Sequence, residues 1–262
     1  MDESLLERIR PLFPNELSEM RSYDPYMLRE YLQCLILDFL SRQKEAGKMV
    51  FIGGTCLRII HGINRFSEDL DFDCRGLSID EFKGLTDRII SYLRECGFNA
   101  LAKEKESEHL TAYRRSILFP QLLFELKLSG YRNQRFLIKI EAQDQGIGYE
   151  PQVTIVNRCG FLFPIQVAPL DVLCAMKVST VLARGKGRDF YDLIFLLQRT
   201  MPSFDYLQSR YGITDKKSLK EELFKCVDMA DLATRSRDFQ HLLIKGQDAD
   251  RILHFRQFVE SL

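Results

Sequence analysis

Asp69-Leu70-Asp71-Phe72-Asp73 alternates acid and hydrophobe without a break. A period of two describes a strand whose Leu70 and Phe72 enter a core while three carboxylates share the other face. Asp69 and Asp71 then point the same way, with Cα atoms about 6.5–7 Å apart. Like charges so close repel, and a divalent cation held by oxygen ligands relieves them. Upstream, Met49-Val50-Phe51-Ile52 is a short apolar strand running into Gly53-Gly54-Thr55. Glycines there let backbone N–H groups approach a phosphate with no Cβ in the way, and the helix they open favours an anion at its start. Each piece alone has a plainer reading, since an acidic edge strand is usually a solvated face that blunts aggregation. Their order (strand, Gly-Gly, short helix, acidic strand) reads as a triphosphate cradle facing a two-metal carboxylate site, the arrangement used for in-line nucleotidyl transfer.

Around this segment the periodicity assigns the remaining elements. Asp24-Pro25 opens a helix with Leu28, Tyr31, Leu32, Leu35 and Phe39 on one face, ending near Gly47. A brief helix follows the glycines and stops at Gly62, and Ser78-Ile79-Asp80-Glu81 is a capping box for a helix closed by Gly97. Strand periodicity marks Ile117–Phe119, Leu122–Leu128 and Phe136–Ile140. Beyond Pro169 the pattern is helical, over Leu170–Ala183, Asp189–Leu197, Ser218–Ala233 (capped by Ser218 with Glu221) and Ala249–Leu262. The expected organisation is an N-terminal helix and α/β core over residues 1–150, then a helical domain over 151–262.

Charge and cysteine usage narrow the function classes. The chain has 37 basic and 37 acidic residues, so neither a broadly basic nucleic-acid binder nor a polybasic membrane coat is indicated. The sum hides a bias: Lys177, Arg184, Lys186 and Arg188 follow one another without an intervening acid. Seven scattered cysteines form no C-x-x-C pair, and His61, His109, His241 and His254 are equally scattered, which argues against a zinc or redox site. Reduced thiols, an acidic amphipathic start and no apolar run of membrane-spanning length point to a cytoplasmic chain without a signal peptide.

Gly53-Gly54-Thr55-x-Leu57-Arg58 followed by Arg65-Phe66-Ser67-x-Asp69-Leu70-Asp71-Phe72 resembles the abortive-infection AbiEii/AbiGii toxin family of nucleotidyltransferases, within the DNA-polymerase-β-like superfamily. A second match lies over a hundred residues downstream. Lys177 to Arg184, then Arg188-Asp189-Phe190-Tyr191-Asp192-Leu193, is similar to the family's K-x-x-A-L-x-x-R and R-D-x-x-D-L segments, with Ser179-Thr180-Val181 where alanine and leucine are commoner. The resemblance implies an α+β fold: a polymerase-β-like α/β domain with a mixed sheet, plus a C-terminal helical lobe. It also implies that Gly53, Gly54 and Thr55 contact the nucleotide phosphates, with Ser67 and Arg58 supporting that loop. Asp69 and Asp71 would bind Mg²⁺ or Mn²⁺. Such folds add a third carboxylate from a neighbouring strand, for which Glu141 alternates correctly beside Lys139, with Glu125 as a competitor.

In the helical part, Lys177, Arg184 and Arg188 are placed to neutralise the β- and γ-phosphates, Lys177 and Arg184 sharing one helix face. By resemblance Lys177 and Asp192 join the catalytic set with Asp69, Asp71 and Glu141. A structural alternative stands beside this, in which Asp189 and Asp192 are both structural, one capping the helix and the other pairing Arg184 or Arg188. His61, Arg114-Arg115 and Lys216-Lys217 are weaker candidates, more simply packed or solvated. The expected activity is transfer of NMP from an NTP to an acceptor, such as an RNA and in particular a tRNA 3′ end. The expected biological role is the toxin of a toxin–antitoxin or phage-defence pair, with a cognate antitoxin as partner and no membrane association. Transfer to a protein or small molecule would use the same residues, and a catalytically silent binding partner is the reading from another class.

Overall fold

The computed structural model describes residues 4–103 and 112–262, so His109 lies outside the described residues. The chain forms two compact units. The first comprises Met1–Ile60, Ser67–Gly146 and Pro151–Val167, and the second His61–Phe66, Ile147–Glu150 and Ala168–Leu262.

The first unit is built on a mixed seven-stranded sheet: β1 (Met49–Ile52), β2 (Leu70–Cys74), β3 (Leu101–Lys103), β4 (Tyr113–Leu118), β5 (Leu137–Gln143), β6 (Gln152–Arg158) and β7 (Phe161–Val167). Their order across the sheet is β3-β4-β5-β2-β1-β7-β6. The acidic strand β2 is central, antiparallel to β1 and parallel to β5. Leu70 and Phe72 are buried as the alternation demands. Cα partners on neighbouring strands share a face, so Ile52, Asp71 and Glu141 stand in one row and Phe51, Phe72 and Ala142 in the next. Asp73 departs from the open acidic face expected for it. It is 1% exposed and accepts the Gln145 N–H at 2.8 Å, a buried acid satisfied by backbone.

Three helices matter for this unit: α1 (Asp24–Ser41), α2 (Gly53–Ile59) and α3 (Ile79–Glu95). The Ser78–Glu81 capping box opens α3 as the sequence predicts. The strand expected over Leu122–Leu128 is instead one helical turn, Leu122–Glu125. Pro120 and Gln121, the latter at φ +60°, end the extended run before it. Residues 151–167, expected within the helical domain, form the β6–β7 hairpin, and β7 pairs in parallel with β1 at Phe51↔Val167. That pairing joins the hairpin to the sheet unit. Its turn, Cys159-Gly160, carries positive φ at both residues, the geometry of a tight two-residue hairpin.

The second unit is helical. It contains α4 (Leu170–Ala183), α5 (Gly187–Leu197) and the Lys216–Asp228 helix. Asp215, not Ser218, caps that last helix, and Ser218 is the reciprocal partner inside the box. The expected Ala249–Leu262 helix is divided into 3₁₀ turns over Gly246–His254 and a helix over Phe255–Ser261. Among the described residues no helix is long and apolar enough to cross a membrane.

Candidate active site

Where β1 ends, Gly53 turns the chain with φ +78°, a conformation that favours glycine. The turn presses against the acidic strand. A Cβ on Gly53 would lie 2.2 Å from Asp71 Oδ2 and 2.8 Å from Asp71 Cβ. The carboxylate oxygen could swing away from a methyl group; the Asp71 Cβ, fixed by the strand, could not. Thr55 is buried, and its hydroxyl donates to the Asp69 carbonyl, fastening the glycine turn to the start of the strand. Ser67 is fixed through its backbone, its carbonyl accepting from Gln33 Nε2 at 3.1 Å. Ile52 offers no side-chain cap to the helix that follows.

Arg58, on the helix that follows this turn, points into the unit. It is 6% exposed, and its Nε donates to Glu30 Oε2 at 2.9 Å, while Arg158 Nε donates to Glu30 Oε1 at 2.7 Å. Glu30 therefore ties α1, α2 and β6 together. The sequence marks it only as one of three acids in α1, with Asp24 and Asp38.

Asp69, Asp71, Glu141 and Lys139 are neighbours on one sheet face. Lys139 Nζ lies 3.3 Å from Asp69 Oδ2 and 3.3 Å from Glu141 Oε1. Burial pulls the Lys139 ammonium pKa down, but Asp69 and then Glu141 outweigh it and leave it raised, so the lysine stays charged. Glu141 is also held by Arg114, whose Nε is 2.9 Å from Oε1. Among the described residues no three His, Cys, Asp or Glu side chains gather as a ready metal cage. Asp69 and Asp71 are hard oxygen donors beside a glycine turn with no Cβ to fill the space, and these fit Mg²⁺ or Mn²⁺. Glu125 is off the sheet, exposed on its helical turn. Arg115 is buried and paired with Asp87, which removes it from any nucleic-acid surface.

The helical unit brings Lys177 and Asp192 together. Asp192 on α5 is fully buried, with Lys177 Nζ of α4 at 2.7 Å from its Oδ2. Arg65 reaches the same carboxylate with two hydrogen bonds, Nε to Oδ1 at 2.5 Å and an NH₂ group to Oδ2 at 2.6 Å. Burial alone would raise the Asp192 carboxyl pKa; the Arg65 guanidinium and Lys177 ammonium overcome this and hold it below the ordinary value. Nothing in the sequence reading gave Arg65 a role, although a lone arginine between Ile63 and Phe66 was a cue. Asp189 is held by its neighbours on the same unit. It is buried, accepts from Arg184 Nε at 2.9 Å and from a second Arg184 nitrogen at 3.0 Å, and accepts the Lys186 N–H at 3.1 Å. Arg184 remains 46% exposed and Arg188 is half-buried. His61 is neutral in character, its pKa lowered by burial and by Arg199, with Nε2 buried and lacking a hydrogen-bond partner.

The family described as nucleotidyl transferase AbiEii toxin, type IV TA system, matches residues 35–260. MenT4, a nucleotidyltransferase toxin of Mycobacterium tuberculosis H37Rv, is similar with a TM-score of 0.56 over 100% of this chain and 90% of its own, at 18% identity. JHP933 of Helicobacter pylori is similar with a TM-score of 0.52 over 90% of each chain, at 19% identity. No curated protein matches the chain. At these identities the solved structures speak for the fold alone, the α+β nucleotidyltransferase fold with its mixed sheet.

Proposed function

The chain belongs to the AbiEii family of nucleotidyltransferase toxins of type IV toxin–antitoxin systems, and from that premise we propose that it transfers a nucleoside monophosphate from an NTP to an RNA 3′ end, such as that of a tRNA, with Mg²⁺ or Mn²⁺ bound at Asp69 and Asp71. The observation that carries this reading is the contact between the Gly53 turn and Asp71, where a Cβ would meet the carboxylate at 2.2 Å. A phosphate-approaching backbone and a cation-holding side chain share one spot only if that residue is glycine.

The backbone N–H groups of Gly53, Gly54 and Thr55 receive the triphosphate, and Arg58 with Glu30 keeps the turn rigid beneath them. The divalent ion supplies positive charge for the triphosphate and for the oxygens on which charge develops. Glu141, paired with Asp71 in the sheet register and engaged by Arg114 and Lys139, is the third carboxylate of this face. Lys177 gives its ammonium to the phosphates, with Arg184 and Arg188 as further cations, and Asp192 orients Lys177. The acceptor hydroxyl attacks the α-phosphorus in line. A P–O bond to the acceptor forms, the α–β bridging bond breaks, pyrophosphate leaves, and the hydroxyl proton passes to water. In its biological role the chain is a toxin opposed by a cognate antitoxin.

Incubation with each labelled NTP, Mg²⁺ and total tRNA tests this. Label should enter tRNA with the wild type, fail with periodate-oxidised tRNA, which lacks a 3′ hydroxyl, and fail with Asp69→Asn and Asp71→Asn. Label transfer that survives in the two variants would overturn the assigned site. Label that enters protein or a small molecule would overturn the RNA acceptor.

A further inference from the structure

Arg65 is a buried arginine at 1% exposure, and its bonds to Asp192 and Phe66 are internal to the helical unit. Two of its nitrogens take both oxygens of Asp192, and a third donates to the Phe66 carbonyl at 2.9 Å. The backbone around it is fixed as well, with an isolated bridge from Arg65 to Leu243 and the Phe66 N–H donating to the Leu242 carbonyl at 2.7 Å. An arginine fork on a carboxylate is the strongest form of such a pair, and its geometry is set before any ligand arrives.

The charge arithmetic of the cluster is unusual. Asp192 faces two cations, Arg65 and Lys177. Lys177 and Asp192 alone would sum to zero and offer an anion little. Two buried cations without Asp192 would repel. With all three present the cluster carries one net positive charge. The member with access to solvent is Lys177, whose side chain is 11% exposed against 2% for Arg65 and 0% for Asp192.

We propose that Arg65 is a positioning residue that takes up the charge of Asp192, so that Lys177 keeps a net positive charge for the anionic triphosphate. This rests on the reading that Lys177 meets the nucleotide phosphates. Arg65 touches no substrate. It acts through the carboxylate, and Asp192 in turn keeps the two cations apart and oriented.

The test separates charge from packing by calorimetric binding of a non-hydrolysable NTP to the full chain. Arg65→Lys preserves the charge and should stay within a few-fold of the wild type. Arg65→Met removes it and should weaken binding about tenfold or more, the scale of one lost charge near a partly enclosed anion. The double variant Arg65→Met with Asp192→Asn removes both opposite charges, leaves Lys177 positive, and should regain most of the lost affinity. A merely structural Arg65 gives no such recovery. Wild-type affinity in Arg65→Met, or a double variant that binds no better than Arg65→Met, would overturn the proposal. So would Arg65→Lys losing affinity as far as Arg65→Met while its circular dichroism stays native. Lys177→Met separates the two readings. If it loses binding while Arg65→Met does not, only the inference about Arg65 fails; if it binds as the wild type does, the placement of Lys177 at the phosphates fails and the inference with it.

Discussion

Asp71 and Asp192 are both acids on ordered elements with basic neighbours, yet their surroundings are opposite. Asp71 is half-buried at the edge of a glycine turn, in a row with Glu141 and one pleat from Lys139 and Asp69. Asp192 is completely enclosed, with both oxygens occupied by Arg65 and Lys177. Carboxylates that keep contact with solvent can exchange one cation for another, which a metal site must do. A carboxylate sealed between fixed cations cannot, and its charge serves to hold geometry. The first cluster is suited to chemistry and the second to orientation.

Substitutions should separate the two. Asp192→Ala should destabilise the chain by about 3–5 kcal/mol, because Arg65 is left charged and buried without its carboxylate; chemical denaturation measures it, and a loss below about 1 kcal/mol would erase the contrast. The pH dependence follows the same logic. The folded Asp192 carboxyl lies below its ordinary value, so the unfolded chain takes up that proton first. The stability it contributes is complete above about pH 4 and is lost as the pH falls through the lower, folded value. Asp192→Asn should lack that acid-limb dependence in urea unfolding. Asp71→Asn should cut nucleotidyl transfer by about 10³-fold while leaving unfolding little changed, the reverse pattern. Gly53→Ala should show both effects at smaller size, roughly 1–3 kcal/mol of strain from the positive φ and lost activity from the methyl group at Asp71; wild-type turnover would separate the turn from the site. Arg114→Ala should cost at most about 1 kcal/mol, since both partners of the Arg114–Glu141 pair are partly exposed, at 38% and 23%. A larger loss on thermal unfolding would make the sheet cluster as rigid as the buried one.

Much of the sheet cluster was legible because its information is local. Strict alternation placed Leu70 and Phe72 in the core, and the strand–glycine order placed the turn beside the acids. The β1 and α4 boundaries follow from apolar runs bounded by Gly53 and by Pro169. Asp73 escaped the pattern because alternation gives a face but not what covers it, and here the Gln145 N–H does. The β6–β7 hairpin was missed because Pro164 and Asn157 interrupt its apolar positions and its register depends on β1, a hundred residues earlier. Arg65 and Glu30 were not readable as partners for a similar reason. Arg65 meets Asp192 127 residues away and Glu30 meets Arg158 128 residues away, and no local periodicity encodes such a meeting.

Position 53 also serves as a diagnostic. Aspartates can persist in a chain that no longer works, since an acid on a sheet face is tolerated for solubility alone. A side chain at 53 is different, because the backbone angle and the nearby Asp71 Cβ exclude it together. Glycine at 53 is therefore a requirement of this turn's geometry and not of solubility.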